Sequence, residues 1–279
     1  MSGGAPTEAS FEENRFWSPS DRALDLRDPR RRNLHAARDA FDRALAGKPE
    51  GPILPAVVDV IRRFKIPPAH FHAVMNGAAM DLAGRTYDTT AETDDYCHHV
   101  AVVVGFICLH VWGYRDEAAF APAMACGLAF QWTNILRDLG EDAAAGRIYL
   151  PASALATAGY SAEELREGVD NEAFRRLLAT EVARVEGLFD EAAPLAKYLD
   201  RDGVPIFAAM YATYRELLRE IARGGDAVLY RRVRVPRWRK FVILARAWWS
   251  GGAVPAAHLP RSGQRAMTAD SSDTPAVGL

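Results

Sequence analysis

The chain has 279 residues, of which 49% are hydrophobic and 25% charged, and its formal net charge is −2. This balance is typical of a globular protein with a sizeable core, and it argues against nucleic-acid binding driven by bulk charge. Three cysteines, Cys97, Cys108 and Cys126, are too few for a disulfide framework and predict a reducing compartment. Because the N-terminus lacks the basic start and apolar run of a signal peptide, we expect a cytoplasmic protein.

Helical patterning fills the chain between two polar ends. Residues 1–30 predict a poorly structured segment, 31–249 a single helical domain, and 250–279 a disordered tail. Start and stop signals predict helices over about 31–46, 52–64, 69–82, 92–112, 119–141, 171–199, 204–222 and 238–249. Strand-like alternation is rare, so the predicted fold class is all-α, with long helices around one core.

The most apolar run covers residues 101–112. It falls short of the roughly 18 residues that a membrane-spanning helix needs. We therefore expect it to be a buried helix of the core.

The most informative segment is 131–151, which reads QWTNILRDLGEDAAAGRIYLP. On a helix, Gln131, Asn134, Asp138 and Asp142 follow one another by three or four residues and share one face. Carboxylate and amide oxygens suit a hard divalent cation such as Mg²⁺. Arginines in the same segment are suited to binding phosphate.

A pair of aspartates four residues apart is most often a solvated helix face. Here the amides extend the polar stripe by a turn, while apolar Ile135, Leu136 and Leu139 cover the other sides of the helix. These features favour a metal and phosphate site, although spacing alone leaves the function open.

The same segment closely resembles the second aspartate-rich motif of squalene and phytoene synthases. Two further blocks resemble that family, MDLAGRTYDTTAETDDYCHHVAVVVG at 80–105 and YRELLREIARGGDAVLYRRVRVPRWRK at 214–240. The three blocks stand in the expected order within about 31–249.

The resemblance implies a single-domain bundle of the isoprenoid synthase type with a central active-site cavity. It also implies a transferase that condenses two prenyl diphosphates head to head with the help of Mg²⁺. We favour farnesyl diphosphate as substrate and presqualene diphosphate or squalene as product, the latter requiring NADPH. The alternatives are a phytoene synthase that uses geranylgeranyl diphosphate, or a homologue that only binds prenyl diphosphate.

Residue by residue, the resemblance implies three groups of site residues. Asp138 and Asp142 would hold the metal. Gln131, Asn134 and Arg147 would bind substrate, and the catalytic group would comprise Tyr96, Arg137, Tyr214 and Arg232.

The family's first aspartate-rich motif has no clean copy in this chain. The nearest match is the stretch from Arg22 to Asp28, in which only Asp25 and Asp28 are acidic and Pro29 follows directly. Three explanations stay open. Asp25 and Asp28 substitute for the motif, a sequence upstream of Met1 carries it, or catalysis has been lost.

Three other patterns stand out. The segment 231–249 mixes Arg and Lys with three tryptophans and a phenylalanine, which predicts either contact with an anionic membrane surface or packing on the core. Cys97, His98, His99, Cys108 and His110 match no common zinc spacing, and the doublet Asp94-Asp95 is expected to be solvated.

Overall fold

The computed structural model describes residues 28–249, so the predicted disordered tail and nearly all of the predicted N-terminal segment, including Arg22 and Asp25, lie outside the described residues. Between residues 28 and 249 the only β-type pairing is an isolated bridge, Tyr114 with Leu199, and helices joined by loops and turns make up the rest of this stretch. The helices are α1 (Pro29–Leu45), α2 (Leu54–Phe64), α3 (Pro68–Ala83), α4 (Thr90–Cys97), α5 (Val103–Trp112), α6 (Phe120–Arg137), α7 (Leu139–Ala144), α8 (Ala152–Ala158), α9 (Ala162–Glu167), α10 (Glu172–Ala192), α11 (Gly203–Gly224), α12 (Ala227–Tyr230) and α13 (Arg237–Trp249).

The helix predicted over about 31–46 begins two residues earlier, at Pro29. The Asp28 carboxylate accepts a hydrogen bond from the Arg30 backbone N–H at 2.8 Å, which makes Asp28 the N-cap. Proline is well tolerated in the first helical turn because the N–H that it lacks has no partner there. Asp28 therefore serves to start a helix.

Helix α6 lies at the centre of the bundle, in contact with α10, α5, α11 and α4. Its buried side chains include Trp132, Ile135 and Leu136, which are among the most enclosed in the chain. The side of α6 that faces the core is largely apolar up to Leu136, and its burial fixes the rotation of the helix about its axis. The polar residues 131, 134 and 138 therefore lie beside this buried side.

The stretch from Thr90 to Trp112 is one continuous helical rod that contains a π-helical turn, His98–Val102, between α4 and α5. Two glycines accommodate that wide turn. A Cβ on Gly77 would lie 2.6 Å from Val100 Cγ1, and one on Gly127 would lie 2.6 Å from Val102 Cα. The rod is long and apolar enough to cross a membrane, by length and composition only. In the structure it packs against α3 and α6.

Local caps explain where two of the helices start. Ser161 and Glu164 form a capping box at α9, with reciprocal side-chain to backbone hydrogen bonds. A second capping box, formed by Thr89 and Glu92, starts α4 two residues before the predicted position. Both boxes satisfy backbone N–H groups that would otherwise lack partners at the helix start.

Because two of its histidines are buried, we expect the folded protein to lose stability as the pH falls. Burial, with a smaller contribution from neighbouring histidines, lowers the pKa of His70 and of His98 to about 4. An unfolded histidine titrates near 6.5, so between about pH 6.5 and 4 the unfolded chain binds more protons than the folded chain, and stability falls as the pH falls.

We expect the urea midpoint to drop between pH 7.5 and 5, and the drop to shrink when His70 and His98 are both replaced by Asn. The matched control is Asn33→Ala, which changes an exposed side chain of α1 that carries no ionisable group. It should retain the wild-type pH dependence. An undiminished drop in the double variant would contradict the assignment.

Candidate active site

The helix that carries the acidic motif is broken in the middle. α6 ends at Arg137, and Asp138 has φ −103° and ψ 12° before α7 begins at Leu139. The sequence predicted one unbroken helix over 119–141. Backbone hydrogen bonds nevertheless cross the break, from Asp138 N to Asn134 O at 3.0 Å and from Asp142 N to Asp138 O at 2.8 Å. The predicted order of the polar side chains is therefore kept on a bent axis.

Two arginines hold the carboxylate of Asp138. Arg137 Nε donates to Asp138 Oδ1 at 2.8 Å, and a second bond joins Arg137 Nη2 to Oδ2. Arg232 Nε lies 2.9 Å from Oδ1, although it is 94 residues away in sequence. The hydrogen bond to Asp138 is the main cause that raises the pKa of Arg137. Both guanidinium groups therefore lie at the position where an anionic ligand would meet Asp138.

The segment that carries Arg232 is extended, and the burial of every second side chain holds it in place. Val233 and Val235 are buried, whereas Arg232 and Arg234 are exposed. Just before it, Gly140 of α7 packs directly on α12. A Cβ on Gly140 would lie 2.1 Å from the Leu229 carbonyl oxygen and 2.5 Å from its carbon. This close backbone approach brings Arg232 to Asp138.

We therefore expect Gly140→Ala to push α7 away from α12, to loosen the Asp138–Arg232 pair and to destabilise the fold by about 1–3 kcal/mol, the usual cost of overpacking. Urea unfolding measures the loss. The control is Gly187→Ala on α10, where an added Cβ meets no atom within 4 Å. That change should be neutral or stabilising by about 0.5–1 kcal/mol. Equal stability of the two variants would rule out this close approach.

Asp142 belongs to a second polar branch. Arg147 Nη2 donates to Asp142 Oδ1 at 2.7 Å. Burial raises the pKa of Asp142, and Arg147 opposes that shift. Arg147 also interacts with the Tyr149 hydroxyl, and the Tyr149 hydroxyl in turn donates to Asp81 Oδ1 at 2.9 Å.

Tyr96 reaches the site through this second branch. Its hydroxyl donates to Asp81 Oδ1 at 3.0 Å, and its ring stacks on that of Tyr149 with centroids 5.0 Å apart. Asp81 and Tyr149 were not among the predicted site residues. Both lie within blocks that resemble family motifs, 80–105 and 131–151, but nothing local in the sequence shows that they meet. An open cleft adjoins this branch and is lined by Met80, Asp81, Gly84, Arg85, Thr86, Tyr87, Gly146, Arg147, Ile148 and Tyr149.

Tyr214 lies on the other side of the site. Its ring stacks face to face on Phe130, with centroids 4.1 Å apart and planes 10° apart. It is close enough to Arg137 to raise the pKa of that guanidinium. Tyr214, Arg137 and Arg232 thus gather around Asp138, whereas Tyr96 and Arg147 belong to the branch at Asp142.

The amides of the motif supply an unused oxygen. Asn134 Nδ2 donates to Gln131 Oε1 at 3.4 Å, and Asn134 Oδ1 is buried without a hydrogen-bond partner among the described residues. A buried acceptor of this kind fits a cation, and together with Asp138 and Asp142 it offers the oxygen donors that Mg²⁺ prefers. Within 28–249, no three His, Cys, Asp or Glu residues form a group able to hold a metal. The chain would thus supply part of a coordination shell that water and phosphate oxygens complete.

The profile of the Squalene/phytoene synthase family matches residues 20–239, more than half of the chain. The chain belongs to the squalene/phytoene synthase family. The family match includes Asp25 and Asp28 and both branches of the site. Members of this family are prenyltransferases, which accounts for a site that combines oxygen donors with arginines.

Several family members resemble the chain over most of its length. The 15-cis-phytoene synthase of Synechococcus elongatus is 35% identical over 226 residues, 75% of this chain and 73% of that protein. The phytoene synthase of Arthrospira platensis is 35% identical over 75% of this chain and 72% of that protein. The chain spans about half the length of a chloroplastic phytoene synthase of Zea mays, at 33% identity.

Solved structures of the family share the fold. A dehydrosqualene synthase solved with a ligand superposes with a TM-score of 0.73 and 26% identity, covering 81% of each chain. A squalene synthase of Alicyclobacillus acidocaldarius gives a TM-score of 0.58 and 28% identity over 70% of each chain. The predicted all-α fold of the isoprenoid synthase type is thereby confirmed.

Proposed function

We propose that this chain condenses two molecules of geranylgeranyl diphosphate head to head, as a phytoene synthase. The observation that carries the proposal is the pair of branches built on Asp138 and Asp142, in which carboxylates and a buried amide oxygen stand beside Arg137, Arg147 and Arg232. The relatives named above are phytoene synthases. They favour this substrate over farnesyl diphosphate, the substrate that the sequence analysis preferred.

The chain's own residues have separable tasks in such a reaction. Arg137 and Arg232 would pair with the diphosphate, because guanidinium groups bind phosphate oxygens in a bidentate manner. The stacked rings of Phe130 and Tyr214 would offer an apolar and electron-rich wall to an allylic cation and keep water from it. Bound Mg²⁺ would neutralise the charge of the departing diphosphate. Phytoene formation ends in loss of a proton, so this route requires no NADPH.

The test is an incubation of the full chain with Mg²⁺ and either geranylgeranyl or farnesyl diphosphate, followed by extraction and mass spectrometry of the products. The proposal expects a C40 hydrocarbon from the first substrate and less product from the second. A C30 product alone, formed with NADPH present, would replace the proposal with a squalene synthase. Calorimetric binding of an unreactive diphosphate analogue without any turnover would instead identify a homologue that only binds prenyl diphosphate.

We also propose that the protein is cytoplasmic and rests on an anionic membrane surface through its segment 231–249. This segment contains seven Arg or Lys residues and no acidic residue. On α13, one face carries the exposed side chains of Trp238, Phe241, Val242 and Trp249. The flank of this face is fixed to α11, where Arg239 Nη1 donates to Glu216 Oε1 at 2.7 Å. Aromatic side chains flanked by cations are suited to the headgroup region of anionic lipid.

Sedimentation with vesicles tests this surface. Binding should occur with vesicles that contain phosphatidylglycerol, should weaken at high salt, and should be lost in a Trp238→Ala/Phe241→Ala double variant. The control is Ile53→Ala, a comparably exposed apolar side chain just before α2. Equal binding to neutral vesicles, or self-association that the double variant abolishes, would refute the anionic surface as the partner.

A further inference from the structure

Asp81 has no assigned role in the proposed reaction, yet one of its carboxylate oxygens accepts hydrogen bonds from two tyrosine hydroxyls. Tyr96 from α4 and Tyr149 from the loop before α8 both donate to Asp81 Oδ1, at 3.0 and 2.9 Å. The three residues come from segments 15 and 68 positions apart in sequence. The carboxylate therefore joins parts of the chain that no local signal connects.

The direction of these hydrogen bonds is fixed, because a carboxylate can only accept. Each phenol donates its one hydroxyl hydrogen in a hydrogen bond to Asp81. The Tyr96 oxygen can therefore act only as an acceptor toward a third group. Arg147 interacts with Tyr149 and donates to Asp142. A continuous polar chain thus runs from Asp142 through Arg147, Tyr149 and Asp81 to Tyr96.

The aromatic rings around Asp81 form a fixed stack. The Tyr96 and Tyr149 planes are 19° apart, and Tyr87 packs against both, with its ring centroid 5.5 Å from that of Tyr96 and 6.4 Å from that of Tyr149. Thr93 Oγ1 donates to the Tyr149 carbonyl at 3.1 Å and ties that loop to α4. Tyr96 is 3% exposed, so its hydroxyl cannot easily reorient once it is bound.

Stability alone does not account for this carboxylate. Asp81 is solvent-exposed, and a neutral acceptor would satisfy the buried Tyr96 hydroxyl equally well, so folding does not require its charge. Its position at the cleft beside Arg147 is suited to a role in the site.

We propose that Asp81 is a positioning residue, which holds the hydroxyls of Tyr96 and Tyr149 so that the Tyr96 oxygen faces cationic charge as an acceptor. The inference rests on the proposed prenyl diphosphate condensation for its kinetic consequences. Its geometric part, that one carboxylate accepts hydrogen bonds from two phenols, does not depend on turnover. A negative charge behind each phenol also makes its oxygen more electron-rich, and burial together with Asp81 raises the pKa of Tyr149 to about 12.

Asp81→Asn is the decisive variant, because it keeps the shape and an acceptor oxygen and removes the charge. Ultraviolet titration of tyrosine between pH 9 and 12 should show a phenol that ionises at lower pH in Asp81→Asn than in the wild type. The matched control is Asp95→Asn, a part-exposed carboxylate on α4 beside His99, and its titration should match the wild type. Identical curves for Asp81→Asn and the wild type would overturn the proposal.

Kinetics then separate positioning from ligand binding. With Mg²⁺ and geranylgeranyl diphosphate, Asp81→Asn should lower kcat by about 10- to 100-fold, as loss of a supporting partner does, with KM and the melting temperature nearly unchanged. Combined with Tyr96→Phe it should have no further effect, since Asp81 acts through that phenol. Fully multiplied losses, or a raised KM with unchanged kcat, would refute the positioning role. A wild type without turnover refutes the proposed function and leaves the titration to decide on Asp81.

Discussion

Replacing Asp138 and Asp142 together by Asn is expected to abolish Mg²⁺-dependent binding of a prenyl diphosphate analogue and to lower turnover by at least about 10²–10³. Two negative charges disappear from a part-buried site, whereas Arg137, Arg147 and Arg232 stay. The diphosphate could still meet the arginines, so we expect the metal dependence to be lost more completely than the affinity. Calorimetry with the analogue, with and without Mg²⁺, measures both.

A matched control removes two negative charges at a different place on the protein. Glu163→Gln with Glu167→Gln removes two exposed carboxylates four residues apart on α9, and analogue binding should equal that of the wild type. Circular dichroism should show both double variants to be as helical as the wild type. An unchanged Mg²⁺ dependence in the aspartate variant would remove α6 and α7 as the metal site.

The second large effect concerns the core beneath the site. Trp132→Ala is expected to lower the free energy of unfolding by about 3–5 kcal/mol, as truncation of a buried aromatic does. Trp132 is fully buried, its Nε1 donates to Asp94 Oδ1 at 2.6 Å, and the Arg184 guanidinium carbon lies 3.7 Å from the centre of its ring. The substitution leaves a cavity and also removes a hydrogen-bond donor to Asp94. Urea unfolding, monitored by circular dichroism, measures the loss.

Trp238→Ala is the control for that measurement, because Trp238 is 63% exposed on α13. Its effect should stay within about 0.5 kcal/mol. Trp132→Phe retains most of the ring and loses only the indole N–H, so its cost should fall between the two. A loss below about 1 kcal/mol for Trp132→Ala would mean that the centre of the bundle does not depend on this residue.

Local chemistry in the sequence predicts much of this fold. The capping box at Ser161 and Glu164, the proline pair before α3 and the glycines after α3 and α5 place helix ends within a few residues of where they lie. Asp138, Asp142 and Arg147 could be predicted as neighbours because they belong to one short segment. Tyr214 and Arg232 entered only through resemblance to the family.

Long-range contacts could not be predicted in this way. Asp94 was expected to be solvated, but it accepts a hydrogen bond from Trp132, 38 residues away. Asp81 and Tyr149 were missed because their meeting depends on how α3 packs against the loop before α8. The break at Asp138 leaves the spacing of the polar residues intact, so their pattern is the same for a straight and a bent helix.

The π-helical turn at His98–Val102 sets how far α4 is rotated relative to α5 about the axis of the continuous helical rod. Each residue turns an α-helix by about 100°, so a single deletion within the turn would rotate Tyr96 relative to the apolar face of α5 by roughly that angle. α5 is held by its core contacts, and the rotation would fall on α4, carrying the Tyr96 hydroxyl away from Asp81. The extra residue thus acts as an angular offset between the two halves of the rod.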